Sequence, residues 1–151
     1  MEFSKAGGIG AGSMSANVRV DTTILDGMLN KAPERADKAV RETAFNVEFK
    51  AKQATPLATG ALRNSGYTKT SKSNAFNQSK AKALEKNPAV KFSDEPEEKM
   101  GLGKAIVGFS VEYALFNEIG TSRMAARPFL VPAVESERDA FEKRMKEVTK
   151  P

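Results

Sequence analysis

Two stretches of the chain carry apolar residues on a helical period. Between Pro33 and Ala54, the positions Ala36, Val40, Ala44 (or Thr43), Val47, Ala51 and Ala54 recur at steps of three and four. That spacing predicts one long helix, about 33 to 54, with a continuous apolar face. Pro33 suits its first turn, where a missing N–H costs little. Phe45 and Phe49, four apart on the adjacent face, are expected to widen the stripe, and its alanines let another backbone approach closely. From about Phe129 to Val148 the pattern returns in Leu130, Val134, Phe141, Met145 and Val148, with Arg138 crossing it. A C-terminal helix is expected there, with Pro128 and Pro132 in or before its first turn.

Period two appears most cleanly from Lys104 to Val111. Ala105, Val107, Phe109 and Val111 share one face, and Ile106, Gly108 and Ser110 share the other. Leu62 to Thr70 is a weaker strand candidate and is expected to pair antiparallel with it. Val18 to Val20 reads as a short extended stretch. Asp21 or Thr22 can cap a short helix to about Asn30, with Ile24, Leu25, Met28 and Leu29 inward. Tyr113 to Ile119 reads as a short helix or turn stopped by Gly120. Residues 1 to 17, with Gly7, Gly8, Gly10 and Gly12, read as a flexible arm. Ser71 to about Pro88 is polar and reads as a long loop, opening an excursion over 71 to 100. The resulting class is α+β: a small antiparallel sheet against a long helix and a C-terminal helix, with a hairpin-like excursion and an N-terminal arm.

Composition narrows the chemistry. The 151 residues suffice for one domain, 18 to 151, behind the arm, and they include no histidine, cysteine or tryptophan. The commonest general base, the commonest metal ligand, thiol nucleophiles and disulfides are therefore excluded, leaving carboxylate or Ser/Lys chemistry. No catalytic, metal or cofactor residue is assigned. Gly8-Ile9-Gly10-Ala11-Gly12 follows no strand, and Gly101-Leu102-Gly103-Lys104-Ala105 lacks the Ser or Thr a P-loop requires. The acidic run Ser93 to Glu98 lacks the ligand spacing of a calcium loop. Glu112 and Glu118 flank Tyr113 without forming a recognisable site. No apolar run suits a secretory signal or a membrane span.

The net charge of +5 is uneven: residues 62 to 92 hold seven basic side chains against Glu85 alone. Arg63, Lys69, Lys72, Lys80 and Lys82 lie there among Ser, Asn and Gln, with Tyr67, Phe76 and Phe92 interleaved. This segment is either a solvated loop whose lysines keep a sheet edge soluble or an arm that touches phosphates without sequence preference.

The run Val111-Glu112-Tyr113-Ala114-Leu115-Phe116-Asn117-Glu118-Ile119-Gly120-Thr121-Ser122-Arg123-Met124-Ala125-Ala126-Arg127-Pro128-Phe129-Leu130-Val131-Pro132-Ala133 is distinctive. It resembles the signature of the gene-product-ten-like head–tail joining (neck or tail-completion) proteins of long-tailed phages. A second, weaker likeness is Ala54-Thr55-Pro56-Leu57-Ala58-Thr59-Gly60-Ala61-Leu62-Arg63-Asn64-Ser65, with Ala58 where that family commonly has an aspartate. The resemblance spans about 18 to 148, apart from the excursion over 71 to 100. It implies a non-enzymatic virion subunit at the neck or tail top, assembled in the host cytoplasm. Its partners would be copies of itself in a ring (a hexamer, with a dodecamer as the other copy number), the head-closure or portal-side and tail-tube or tail-terminator proteins, and DNA in the channel. Arg63, Lys69, Lys72, Lys80 and Lys82 are then candidate contacts to DNA or a neighbouring ring. Within the signature, Glu118 precedes Gly120, which permits a sharp turn, and Arg123 and Arg127 follow on a loop stiffened by Pro128. These charges suit either an internal Glu118–arginine salt bridge or a head-to-tail contact between neighbours. Phe129 and Leu130 are expected as core anchors. The alternative function, from the charge pattern alone, is non-sequence-specific nucleic-acid binding through 62 to 92.

Overall fold

The computed structural model describes residues 2–5, 15–21, 32–58 and 60–150. Four strands, β1 (Glu2–Lys5), β2 (Ala16–Asp21), β3 (Gly66–Thr70) and β4 (Lys104–Phe109), form an antiparallel sheet in the order β1-β2-β4-β3. β4 is interior, with Ala16 opposite Phe109 and Asp21 opposite Lys104 on one side, and Gly66 opposite Phe109 and Thr70 opposite Ala105 on the other. β1 occupies part of the expected arm and pairs Glu2 with Asp21. That part of the arm therefore extends the sheet. Residues 6–14, like the helix expected to about Asn30, lie outside the described residues.

The α+β expectation holds in its main elements. Helix α1 (Pro33–Ala54) lies against the sheet, and helix α5 (Leu130–Thr149) packs along α1. Strand alternation sends Val18, Val20, Ala105, Val107 and Phe109 into the core that these helices cover. Ala36, Val40, Ala44, Val47 and Ala51 face it from α1, all at 0% exposure. Phe45 and Phe49 do not join them: they are 47% and 63% exposed. Each lies two residues from Val47, hence roughly 160° around the helix from it. Ala54 is also exposed, and on α5 it is Glu137, not Arg138, that crosses the buried stripe.

The segment from Leu62 is not one strand. Gly60, at φ 82°, starts a helical turn, α2 (Ala61–Asn64), before β3 begins. Asn64 Nδ2 donates to the Gly60 carbonyl at 2.8 Å, and Ser65 Oγ to the Leu62 carbonyl at 2.7 Å. Polar side chains that hydrogen-bond locally to the backbone favour this turn over an extended ladder.

The excursion between β3 and β4 departs most from expectation. The two strands do pair antiparallel around it, but the presumed loop contains helix α3 (Phe76–Lys86). Phe76, Ser79 and Ala83 form the narrow buried edge of α3. Phe76 meets Tyr67 edge-on at 5.0 Å, and these two with Ile106 form a second apolar cluster on the sheet face away from α1. Gly108 makes room for it, since a Cβ there would stand 2.7 Å from the Tyr67 hydroxyl oxygen. The buried Asp37 carboxylate of α1 ties down both ends of the excursion. It accepts from Ser71 Oγ at 2.9 Å and from the Gly103 N–H at 3.0 Å, while Arg41 pairs with it at 3.0 Å. The glycine-rich run at 101–105 thus directs a backbone N–H to an internal carboxylate.

Candidate functional site

After β4 the chain enters a short helix, α4 (Ala114–Ile119), closed by Gly120 at φ 76° with its N–H on the Phe116 carbonyl at 2.8 Å. A Cβ at Gly120 would lie 2.7 Å from the Ala126 nitrogen and 2.9 Å from the Met124 oxygen, so no side chain fits. Thr121 and Met124 then exchange backbone hydrogen bonds at 2.8 and 3.3 Å, and the Arg127 N–H returns to the Asn117 carbonyl at 2.7 Å. The chain leaves α4, reverses and comes back to its base. Every residue from Thr121 to Pro128 is exposed.

Glu118 holds this turn, by a means its sequence context did not indicate. Its Oε2 accepts from the backbone N–H groups of Phe129 and Leu130 at 2.9 and 3.0 Å, and its Oε1 from that of Val131 at 2.9 Å. These are the first N–H groups of α5, which lack partners within the helix. Pro132, next in line, has no N–H to satisfy. The first turn of α5 carries no acid of its own, so Glu118 also supplies the negative charge that a helix N-terminus favours. Phe129 is 0% exposed and meets Phe109 edge-on at 4.8 Å, and Leu130 is buried beside it. Both ends of the turn are therefore anchored in the core.

Of the two readings of these charges, the internal Glu118–arginine bridge is absent: among the described residues, Arg123 and Arg127 pair with no carboxylate, and both are exposed. On α4 and the turn, Phe116, Ile119 and Met124 are also exposed, at 38%, 63% and 38%. Beside the turn, Pro56, Ala58, Gly60, Leu62, Tyr113 and Asn117 line a cavity of about 70 Å³. Glu112 is exposed while Glu118 is buried in its cap, so the two do not form a carboxylate pair.

Of the basic residues of 62 to 92, Arg63, Lys69, Lys72 and Lys80 meet other groups of the chain, and Lys86 and Lys91 are exposed. Arg63 Nε donates to the Lys52 carbonyl at 2.9 Å. Lys69 Nζ reaches Glu95 at 3.1 Å and the Pro96 carbonyl at 2.7 Å. Lys72 lies 3.9 Å from Glu34, and Lys80 stands 5.7 and 5.1 Å from the ring centres of Phe76 and Phe92. Lys82 is exposed on α3. The acidic run belongs to this same arrangement. Asn74 and Lys69 hold the Glu95 carboxyl below the ordinary carboxylate range, and Glu98 pairs with Arg19 of β2. Sequence reasoning missed Asp37 as well, whose one visible sign is an acid directly beside Ala36 in the apolar stripe.

Among the described residues, no cluster of acids could hold a metal ion, and no helix is long and apolar enough to cross a membrane. Comparison with known proteins finds no matching family model, curated protein or solved structure.

Proposed function

We propose that this chain is a virion structural protein, a ring-forming neck or tail-completion subunit that joins a DNA-filled head to a tail around a DNA channel. The observation that carries the reading is the turn from Thr121 to Pro128, exposed at every position yet fixed at both ends by buried groups. A monomer gains little from such an investment. Its two arginines lack internal partners among the described residues, and Ile119 and Met124 put apolar surface beside them. Charge without a partner, next to exposed apolar side chains on a rigid support, suits the centre of a protein–protein contact. Rings close through heterologous contacts, which need two different patches on each subunit. The turn, with the neighbouring cavity lined by Pro56, Leu62 and Tyr113, supplies one of these patches. The long phage-like run of sequence over Val111–Ala133 falls on the turn and its anchors.

Two measurements test the reading. Native mass spectrometry of the purified chain, alone and with particle extracts, should find a closed oligomer, and protein analysis of purified virions should find the chain in the particle. A chain that stays outside virions ends the proposal.

A further inference from the structure

On the sheet face away from α1, Arg19, Ile106 and Lys69 occupy one row across β2, β4 and β3. Two cations thus flank an apolar residue, about 9.5 Å apart at two strand spacings. Residues 94–99 run over them without regular secondary structure. Glu98 pairs with Arg19, and Glu95 accepts from Lys69 at 3.1 Å and Asn74 at 2.6 Å. The Pro96 carbonyl takes a second bond from Lys69 at 2.7 Å. From Glu95 to Glu98 an extended chain covers about 10 Å, which matches the span between the cations. Pro96 favours this shape, because a residue before proline is held extended.

The attachment is polar throughout. Ser93 and Met100, at either end, are the nearest residues tucked into the fold, while 94–99 are half-buried or exposed. The Arg19–Glu98 pair, with side chains at 31% and 32% exposure, adds little stability and exchanges readily, while Lys69 is more covered, at 14% against 33% for Glu95. Asn17, two residues before Arg19 on β2, buries its Oδ1 without a hydrogen-bond partner among the described residues.

We propose that the row of Arg19 and Lys69, with Asn74, is a receptor for an extended acidic peptide of a partner protein. The pattern it takes is acidic, Pro, any residue, acidic, and the chain's own Glu95–Glu98 segment fills it until displaced. The inference is independent of the turn at 121–128. The probe is a labelled peptide with the sequence of residues 93–100, titrated by fluorescence anisotropy at low salt. Glu95→Gln with Glu98→Gln weakens the segment's hold on the row, so this double variant should bind the peptide at least tenfold more tightly than the unaltered chain. Adding Arg19→Gln or Lys69→Gln should remove that gain. Equal affinity for both proteins overturns the proposal. So does an oligothymidylate that outcompetes the peptide, or self-association of the variant that the peptide does not affect. Should the double variant fail to fold, a fluorophore on Glu97→Cys, an exposed position in a chain without other cysteines, should lose anisotropy in excess unlabelled peptide, and unchanged anisotropy overturns the proposal.

Discussion

Glu118 shows how much one side chain does when its partners are backbone groups. Replacing it with alanine leaves the N–H groups of Phe129, Leu130 and Val131 without acceptors, two of them on buried residues. The expected cost is about 3 kcal/mol in urea unfolding, with Glu118→Gln falling between alanine and the native residue. The sequence carried the residue but not its role. A glutamate ahead of two arginines reads as an ion pair, because charges are visible in a sequence and the free N–H groups of a later helix are not. Gly108 gives the complementary case, where absence of a side chain matters. A methyl group there meets the Tyr67 hydroxyl at 2.7 Å and the Ala16 carbonyl at 3.0 Å. Gly108→Ala should cost about 2 kcal/mol and loosen Tyr67, seen as weaker tyrosine near-ultraviolet dichroism.

Among the elements, the seam between α1 and α5 carries a polar network inside an apolar interface. Glu137 accepts from Lys50 at 2.6 Å and from Arg144 at 3.2 Å, and Arg144 also donates to Thr43 at 3.0 Å. Burial works to raise the Glu137 carboxyl, but Lys50 and Arg144 outweigh it and hold the group below the ordinary range. A carboxyl depressed in the folded state stabilises fully above its unfolded value, about 4.3, and loses that contribution as pH falls through the folded value. Urea midpoints of the native chain and Glu137→Gln should therefore differ at pH 7 and converge toward pH 3. A constant gap would mean that the charge is not what matters. Long, strongly periodic elements such as α1, α5 and β4 were legible in the sequence because many positions vote for one face. Helix α3 was not, because its buried edge of Phe76, Ser79 and Ala83 is narrow and mostly small. Its signal lay instead in helix propensity, in the run Lys80-Ala81-Lys82-Ala83-Leu84-Glu85-Lys86.

At the scale of the molecule, the excursion is a second layer over the sheet, in which Lys69 and Lys72 meet carboxylates of the chain while Lys82, Lys86 and Lys91 stay exposed. Under the proposed function, the assembly surface is the turn. Arg123→Glu with Arg127→Glu should lower the oligomeric fraction at least tenfold in native mass spectrometry while leaving the melting temperature unchanged at dilutions where the native chain is itself monomeric, since both side chains are exposed and make no ion pair among the described residues. A fall in melting temperature at those dilutions would mark the arginines as structural. The strand order has a kinetic consequence. β4 pairs with both β2 and β3, yet β2 must wait for it across most of the chain, Ala16 meeting Phe109 and Asp21 meeting Lys104. During synthesis α1 and the β1–β2 hairpin can form early, but the sheet has no centre until β4 leaves the ribosome. Contacts this distant in sequence slow folding, because loop closure must precede the gain. Until then the edges of β2 and β3 stand open to other nascent chains, and synthesis rate and chaperone supply should limit how much native protein a cell can make.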